Sequence, residues 1–267
     1  MKIRRFPIKR KIGYALWFNF KKEALELIPD VIICHGLRKP YLGPATKIAK
    51  KIGAKCFLVT HAPFIDKELR NWKLNVIIRL YDYFFGIGIM NRFDNVIAIC
   101  KWEKKNLIEL GCQPEKILYL PNSLSELFFT QEPYEERKKI LFLGRMNPVK
   151  KIEDLITAFC ASNLQDYILE IVSSKEGEYY NSLVSGLQNL GVGGNILFKE
   201  PISDLREKIE KIDSAEIFVL PSRKESMPFG VIEAMARGKI VVATKTLGAV
   251  ELIENGKNGF LIEIGDI

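Results

Sequence analysis

Short apolar runs rich in β-branched residues, each ended by Gly, Pro or a polar residue, recur along this chain. They are DVIICHG, KCFLVTH, NVIAIC, KILYLP, KILFLGR, ILEIVSS, NILFKE, EIFVLPS, KIVVAT and GFLIE. Several are apolar at odd and even positions alike, the pattern of strands covered on both faces of a parallel sheet. Between them the apolar spacing lengthens to helical values in PATKIAKKIG, KWEKKNLIELG, IEDLITAF and DLREKIEKI. Strand–helix alternation of this kind predicts a doubly wound α/β fold with parallel sheets. The greasiest stretch, VIIRLYDYFFGIGIM, holds Arg79 and Asp82. A membrane span needs roughly 20 mostly uncharged residues, so this stretch is expected as a buried helix.

The pattern lapses once. LPNSLSELFFTQEPYEERKK has a Pro-Asn turn, a second Pro and a charged run, with no strong strand or helix period. It is expected as the connection between two α/β domains. The expected organisation is therefore a partial Rossmann-like domain over 1–121, a linker over 122–138 and a second Rossmann-like domain over 139–267. The last has six strand candidates and five intervening helices.

Composition adds direction. The 267 residues carry a net charge of +8 and a pI of about 9.1, which favours an anionic partner. No basic–aromatic recognition motif supports nucleic acid. Five cysteines, odd in number and without a C-x-x-C pair, argue against a disulfide framework and a zinc site and point to a reducing cytosol. The opening MKIRRFPIKRKIGYALWFNFKK has too short an apolar part for a signal peptide and no small-residue cleavage site. Its basic residues with Trp17, Phe18 and Phe20 suit either a peripheral contact with an anionic membrane or a buried helix with a basic lead.

In open parallel sheets, ligands bind beyond the carboxyl ends of the strands. KILFLGR ends there in Gly144 and Arg145, with Lys150 at the start of the next helix. These two cations can share one phosphate group. EIFVLPS leads through Glu225, Ser226 and Met227 to Pro228, which suits the first turn of a helix, and Gly238 suits its stop. Val231, Met235 and the alanines are expected on the buried face, with Glu233 on the other side near Gly230. Free backbone N–H groups around Phe229 and Gly230 form an anion-binding end. Glu225 can accept from sugar hydroxyls, and Glu233 can hold a diol such as a ribose.

PSRKESMPFGVIEAMARGKIVVATKTLGAVELIENGKNGFLIEIGD resembles the nucleotide-sugar site of the retaining glycosyltransferases of family 4, built from two Rossmann-like domains in the GT-B architecture. Their Glu-x7-Glu hallmark is matched by Glu225 and Glu233, and LFLGRMNPVKKIEDLITAF is similar to their Gly-Arg…Lys strand–turn–helix. LYLPNSL, PDVIICHG and LVTHAPF resemble their linker start and their first-domain strands ending in histidine. The resemblance implies sugar transfer from a nucleotide-sugar donor to a sugar, lipid-linked or other small acceptor. It further implies retained anomeric configuration and neither metal nor cofactor. A cytoplasmic enzyme, peripheral on the inner membrane face where its acceptor is lipid-linked, is the expected setting. Arg145 and Lys150 take the diphosphate, His61 the donor sugar and diphosphate, Glu225 the sugar hydroxyls and Glu233 the ribose.

Departures from the family are Lys151 in place of a Gly, IVSSKEG in place of a Gly-x-Gly, and Leu247 in place of the first Gly of a pair. Lys151 is expected to add charge near the diphosphate. Neither the family's opening strand and Gly-rich loop nor its closing helices are recognised, which keeps a truncated, inactive nucleotide-sugar-binding or scaffold protein as the alternative. A dinucleotide-dependent oxidoreductase is disfavoured, because no strand opens into G-x-G-x-x-G.

Overall fold

The structure, a computed structural model, describes residues 5–12, 15–64, 71–130, 132, 137–164, 166–190 and 194–267. Parts of the expected linker (131 and 133–136) and of the basic start (1–4 and 13–14) lie outside the described residues. The chain divides into two compact units, Met1–Pro121 and Asn122–Ile267.

In the first unit, β1 (Arg10–Ile12) and β2 (Ala15–Trp17) pair antiparallel, so these residues of the basic start form strands and not a helix. β3 (Val31–His35), β4 (Lys55–Val59), β5 (Asn95–Ala98) and β6 (Ile117–Tyr119) form a parallel sheet in that order. The four apolar runs of this half thus become its four parallel strands. The Leu42–Ile52 helix, stopped by Gly53 at φ +76°, packs Ala45 and Ala49 into a core with Cys34, Leu58, Val96 and Leu107. β3 is covered on that face alone: Val31 and Ile33, pointing the other way, are exposed. This departs from the two-sided burial that its continuous apolar run predicts.

A second departure is larger. VIIRLYDYFFGIGIM is helical, from Trp72–Tyr81 through a π turn at Asp82–Gly86 to Ile87–Met90, but it is not buried. Most of its large apolar residues face outward, while Asp82 is buried and ion-paired with Arg38.

The second unit holds β7 (Arg137–Leu143), β8 (Ile168–Val172), β9 (Ile196–Lys199), β10 (Ala215–Leu220), β11 (Ile240–Thr244) and β12 (Phe260–Ile262). Every neighbouring pair is parallel, in the order β12-β11-β10-β7-β8-β9. The chain winds from β7 out to β9, returns to the other flank of β7 as β10, and winds out again. The winding direction therefore reverses between β7 and β10, and a crevice opens there beyond the carboxyl ends. Leu141, Phe142, Leu169, Ile171, Phe218 and Val241 form the centre of the core.

The connection expected over 122–138 belongs in part to this core. Leu127–Thr130 is a helical turn whose Phe128 is 2 % exposed. Arg237 donates to the Phe128 carbonyl at 2.8 Å while its other nitrogens hold Asp213 at 2.7 and 2.9 Å. Sequence patterning missed this packing because a single turn of helix shows no period.

Candidate functional site

At the carboxyl edge of the second unit, the loops after β7 and β10 meet. Gly144 and Arg145 directly follow β7; Arg145 is exposed, with no hydrogen-bond or ion-pair partner among the described residues. A 3-10 turn, Pro148–Lys150, follows; its cap Asn147 accepts from the Val149 N–H at 3.0 Å. The Val149 carbonyl in turn accepts from the Arg223 N–H at 2.8 Å, joining this turn to the β10 loop. Lys150 Nζ reaches Glu225 Oε1 at 2.5 Å, and both side chains are largely shielded. The ammonium and the carboxylate expected to grip a donor are ion-paired with each other.

Lys151 adopts φ +52°, ψ +44°, the left-handed conformation that costs a non-glycine residue roughly 1–2 kcal/mol. This accounts for the family's glycine there. Its added charge does not remain free beside Lys150, as the sequence suggests: Lys151 Nζ binds Glu153 at 2.9 Å and Asp154 at 3.4 Å in the first helical turn. The hydrogen bond it donates to Glu153 is the main reason its pKa is raised.

The Phe229–Ala236 helix begins just after Pro228, which stands at the cap position rather than in the first turn. The first intrahelical bond runs from Ile232 N–H to the Pro228 carbonyl, so the N–H groups of Phe229, Gly230 and Val231 point out of the helix end. Gly230 is required for close packing: a Cβ there would lie 2.8 Å from Phe218 Cζ. The helix stops at Gly238, with φ +69° and its N–H on the Met235 carbonyl at 3.0 Å.

Glu233 corrects the sequence reading. It is 5 % exposed and lies on the buried side with Val231 and Ala234, its Oε1 bonded to Lys208 of the Leu205–Asp213 helix. Oε2 is buried without a hydrogen-bond partner among the described residues. Buried unsatisfied oxygens are rare, and two more occur at this edge: Ser173 Oγ, just past β8, and Ser222 Oγ, just past β10. Neither serine stands out in the sequence, where an isolated Ser after a strand is commonplace.

The end of β11 and the loop after it fix the β10 loop. Gly248 N–H donates to the Glu225 carbonyl at 3.0 Å, and Thr244 Oγ1 donates to the Ser222 carbonyl. A Cβ on Gly248 would fall 2.3 Å from Ser226 O. Leu247, where the family carries its first glycine, projects into solvent instead. The position that cannot bear a side chain is therefore still glycine. Met227 is buried below this loop, and Phe229 is half exposed.

His61 lies in the first unit, beyond β4. Its Nε2 is 2.9 Å from Nδ1 of His35, which ends β3, and the rings stack with centroids 5.2 Å apart. Burial, and secondarily His35, hold the His61 pKa below the usual histidine range, which favours its own neutral imidazole. His61 and Ala62 both have positive φ, +57° and +49°, a strain sustained only where neighbours fix the backbone. The residue that fixes it is Glu103, fully buried in the Lys101–Glu109 helix. Its Oε1 accepts from Thr60 Oγ1 at 2.5 Å and Ala62 N–H at 2.8 Å, while Oε2 accepts from Ile99 N–H at 2.8 Å. Desolvation still pushes its pKa upward against these bonds. Sequence reasoning missed Glu103, although a glutamate at the third helical position is the acidic half of a capping box. Glu103→Ala is expected to cost about 3 kcal/mol of stability, since it orphans several buried donors. An unchanged urea midpoint would show that the histidine loop does not depend on it.

Two parallel-sheet units, one with convergent cations and carboxylates at its switch point, give the GT-B fold of glycosyltransferases. Residues 125–267 match the family described as glycosyl transferases group 1, and residues 2–125 match glycosyltransferase family 4; the chain belongs to this glycosyltransferase family. The putative glycosyltransferase EpsD of Bacillus subtilis is 26 % identical over 283 residues, covering 99 % of this chain and 71 % of the relative. An uncharacterized glycosyltransferase of Haemophilus influenzae is 31 % identical over 274 residues, covering 96 % of this chain and 71 % of its own. Among solved structures, Anabaena HepE in complex with UDP and glucose superposes with a TM-score of 0.69 at 20 % identity, covering 92 % of this chain and 67 % of that one. A glycosyltransferase from Rickettsia africae gives 0.73 at 20 % identity, covering 92 % and 66 %.

Proposed function

We propose that the carboxyl edge of the second unit binds a nucleotide-sugar donor, and that the chain transfers its sugar to a hydroxyl acceptor with retention, without metal or cofactor. The acceptor is a sugar, a lipid-linked sugar or another small hydroxyl compound, and the setting is the cytoplasm. The reading is carried by one observation: Arg145 and three buried oxygens, all without a partner among the described residues, lie with the Lys150–Glu225 pair at the carboxyl edge of one sheet. HepE, of the same fold, binds UDP and glucose.

In this reading the diphosphate takes Lys150 from Glu225, adds Arg145, and sits before the open N–H groups of Phe229, Gly230 and Val231. Glu225, released, accepts from sugar hydroxyls, alongside the backbone of Ser226 to Pro228 and Gly144. The ribose supplies the hydroxyl that Glu233 Oε2 lacks. The positive charge of Arg145 and Lys150, set against the departing diphosphate, is the main catalytic contribution, since fixed cations act where the leaving group's negative charge grows.

A thermal-shift screen of nucleotide-sugars tests binding: at 100 times Kd a specific donor stabilises the fold by about 2.7 kcal/mol. Transfer assayed with and without chelator, with the product anomer read by NMR, tests the rest. Stabilisation without transfer or donor hydrolysis would leave a binding protein and remove the enzyme; no stabilisation by any nucleotide-sugar would remove both.

A further inference from the structure

The helical run from Trp72 to Met90 has inverted polarity. Asn75, Ile78, Asp82, Gly86 and Ile89 form its inward stripe. Arg38 clamps the Asp82 carboxylate with three hydrogen bonds, Nε at 2.8 and 3.1 Å and Nη2 at 2.8 Å. Gly86 makes room for that carboxylate, because a Cβ there would lie 3.0 Å from Asp82 Oδ1. The clamp sets the helix's rotation, since turning the apolar side inward would break a buried ion pair.

Facing outward, Trp72, Val76, Leu80 and Phe84 follow one another at i, i+4, with Ile77 and Phe85 beside them. Trp72 is 70 % exposed and Phe84 66 %. Between residues 71 and 90 the exposed charges are Lys73 and Arg79, with no exposed acid. The unit as a whole has 23 Lys and Arg against 10 Asp and Glu, a net +13, whereas the second unit is −5. Two copies of so basic a unit repel each other, which disfavours self-association across this face. An anionic bilayer satisfies both the apolar aromatic ridge and the flanking cations. Among the described residues no helix is long and apolar enough to cross a membrane.

We infer that the outward face of the Trp72–Gly86 run docks on an anionic lipid surface, lying in the plane of the headgroups with its aromatic side chains inserted. The inference does not depend on the donor reading. Flotation of the full chain with phosphatidylcholine vesicles, with and without phosphatidylglycerol, tests it. The chain should float with the anionic vesicles, and high salt should weaken this by about tenfold or more. Leu80→Glu combined with Phe84→Glu replaces exposed side chains only, and should abolish flotation while far-UV circular dichroism stays unchanged. Lys73→Glu with Arg79→Glu leaves the apolar face intact and should lose the preference for anionic vesicles, which keeps the test open if the first variant misfolds. Failure of the parent chain to float with anionic vesicles, or equal flotation of parent and Leu80/Phe84 variant, overturns the inference. So does a dimer in sedimentation that the same variant dissociates, because the face would then belong to a second copy.

Discussion

Arg145→Ala is expected to lower kcat/KM for sugar transfer by about 10²–10³, with folding stability changed by no more than about 0.5 kcal/mol. The asymmetry follows from where the residue sits. Arg145 is exposed and has no partner among the described residues, so its removal takes nothing from the fold. Its guanidinium is a charge held at the end of β7 without a structural task, beside the crevice where β7 and β10 part. Lys150→Ala should lose comparable activity but also some stability, because it leaves Glu225 shielded and unpaired. Lys150→Ala with Glu225→Gln should recover that stability and not the turnover. Chemical denaturation and steady-state kinetics on the same preparations separate the two effects. If Arg145→Ala turns over like the parent chain, the diphosphate assignment falls.

Strand positions were legible because a parallel strand buries itself through its own continuous apolar run: all ten quoted runs are strands, from Val31–His35 to Phe260–Ile262. The loops carrying Arg145, Lys150 and Glu225 were legible for the same reason, since each begins where such a run ends. Failures arose where a distant partner decides burial. The 76–90 run has the hydrophobicity of a buried helix, yet its orientation is set by Arg38, 44 residues before Asp82. Glu233 looks like a surface residue until Lys208, 25 residues earlier, supplies the charge that lets it be buried. The opening strand pair is too short for its alternation to register.

Two of the three departures from the family pattern, Lys151 and Leu247, resolve in the same local terms. Leu247 is harmless because its side chain enters solvent, and Lys151 accepts a strained φ while its ammonium is held by Glu153 and Asp154. Neither change reaches the contacts that shape the crevice.

Gly248→Ala does reach them, and it is expected to cost about 1–3 kcal/mol of stability and to eliminate the stabilisation given by any nucleotide-sugar. Backbone conformation is not the obstacle, since φ at Gly248 is −76°. The obstacle is space: the new methyl would lie 2.3 Å from Ser226 O, 2.5 Å from Ser226 C and 2.9 Å from Pro228 Cδ. Two of these are backbone atoms, so no rotamer change relieves the clash. Retreat on the Gly248 side is blocked, because Ala249 is buried and its carbonyl holds the Ile253 N–H at 2.8 Å. The Glu225–Pro228 segment must therefore move, breaking the bond from Gly248 N–H to the Glu225 carbonyl and displacing the helix end at Phe229. Leu247→Ala, one residue earlier and exposed, serves as the control and should change stability by no more than about 0.5 kcal/mol. Thermal unfolding of both variants, with and without a donor that stabilises the parent chain, reads stability and site geometry together. A Gly248→Ala chain that still gained full donor stabilisation would mean that the Glu225 loop is not what holds the sugar.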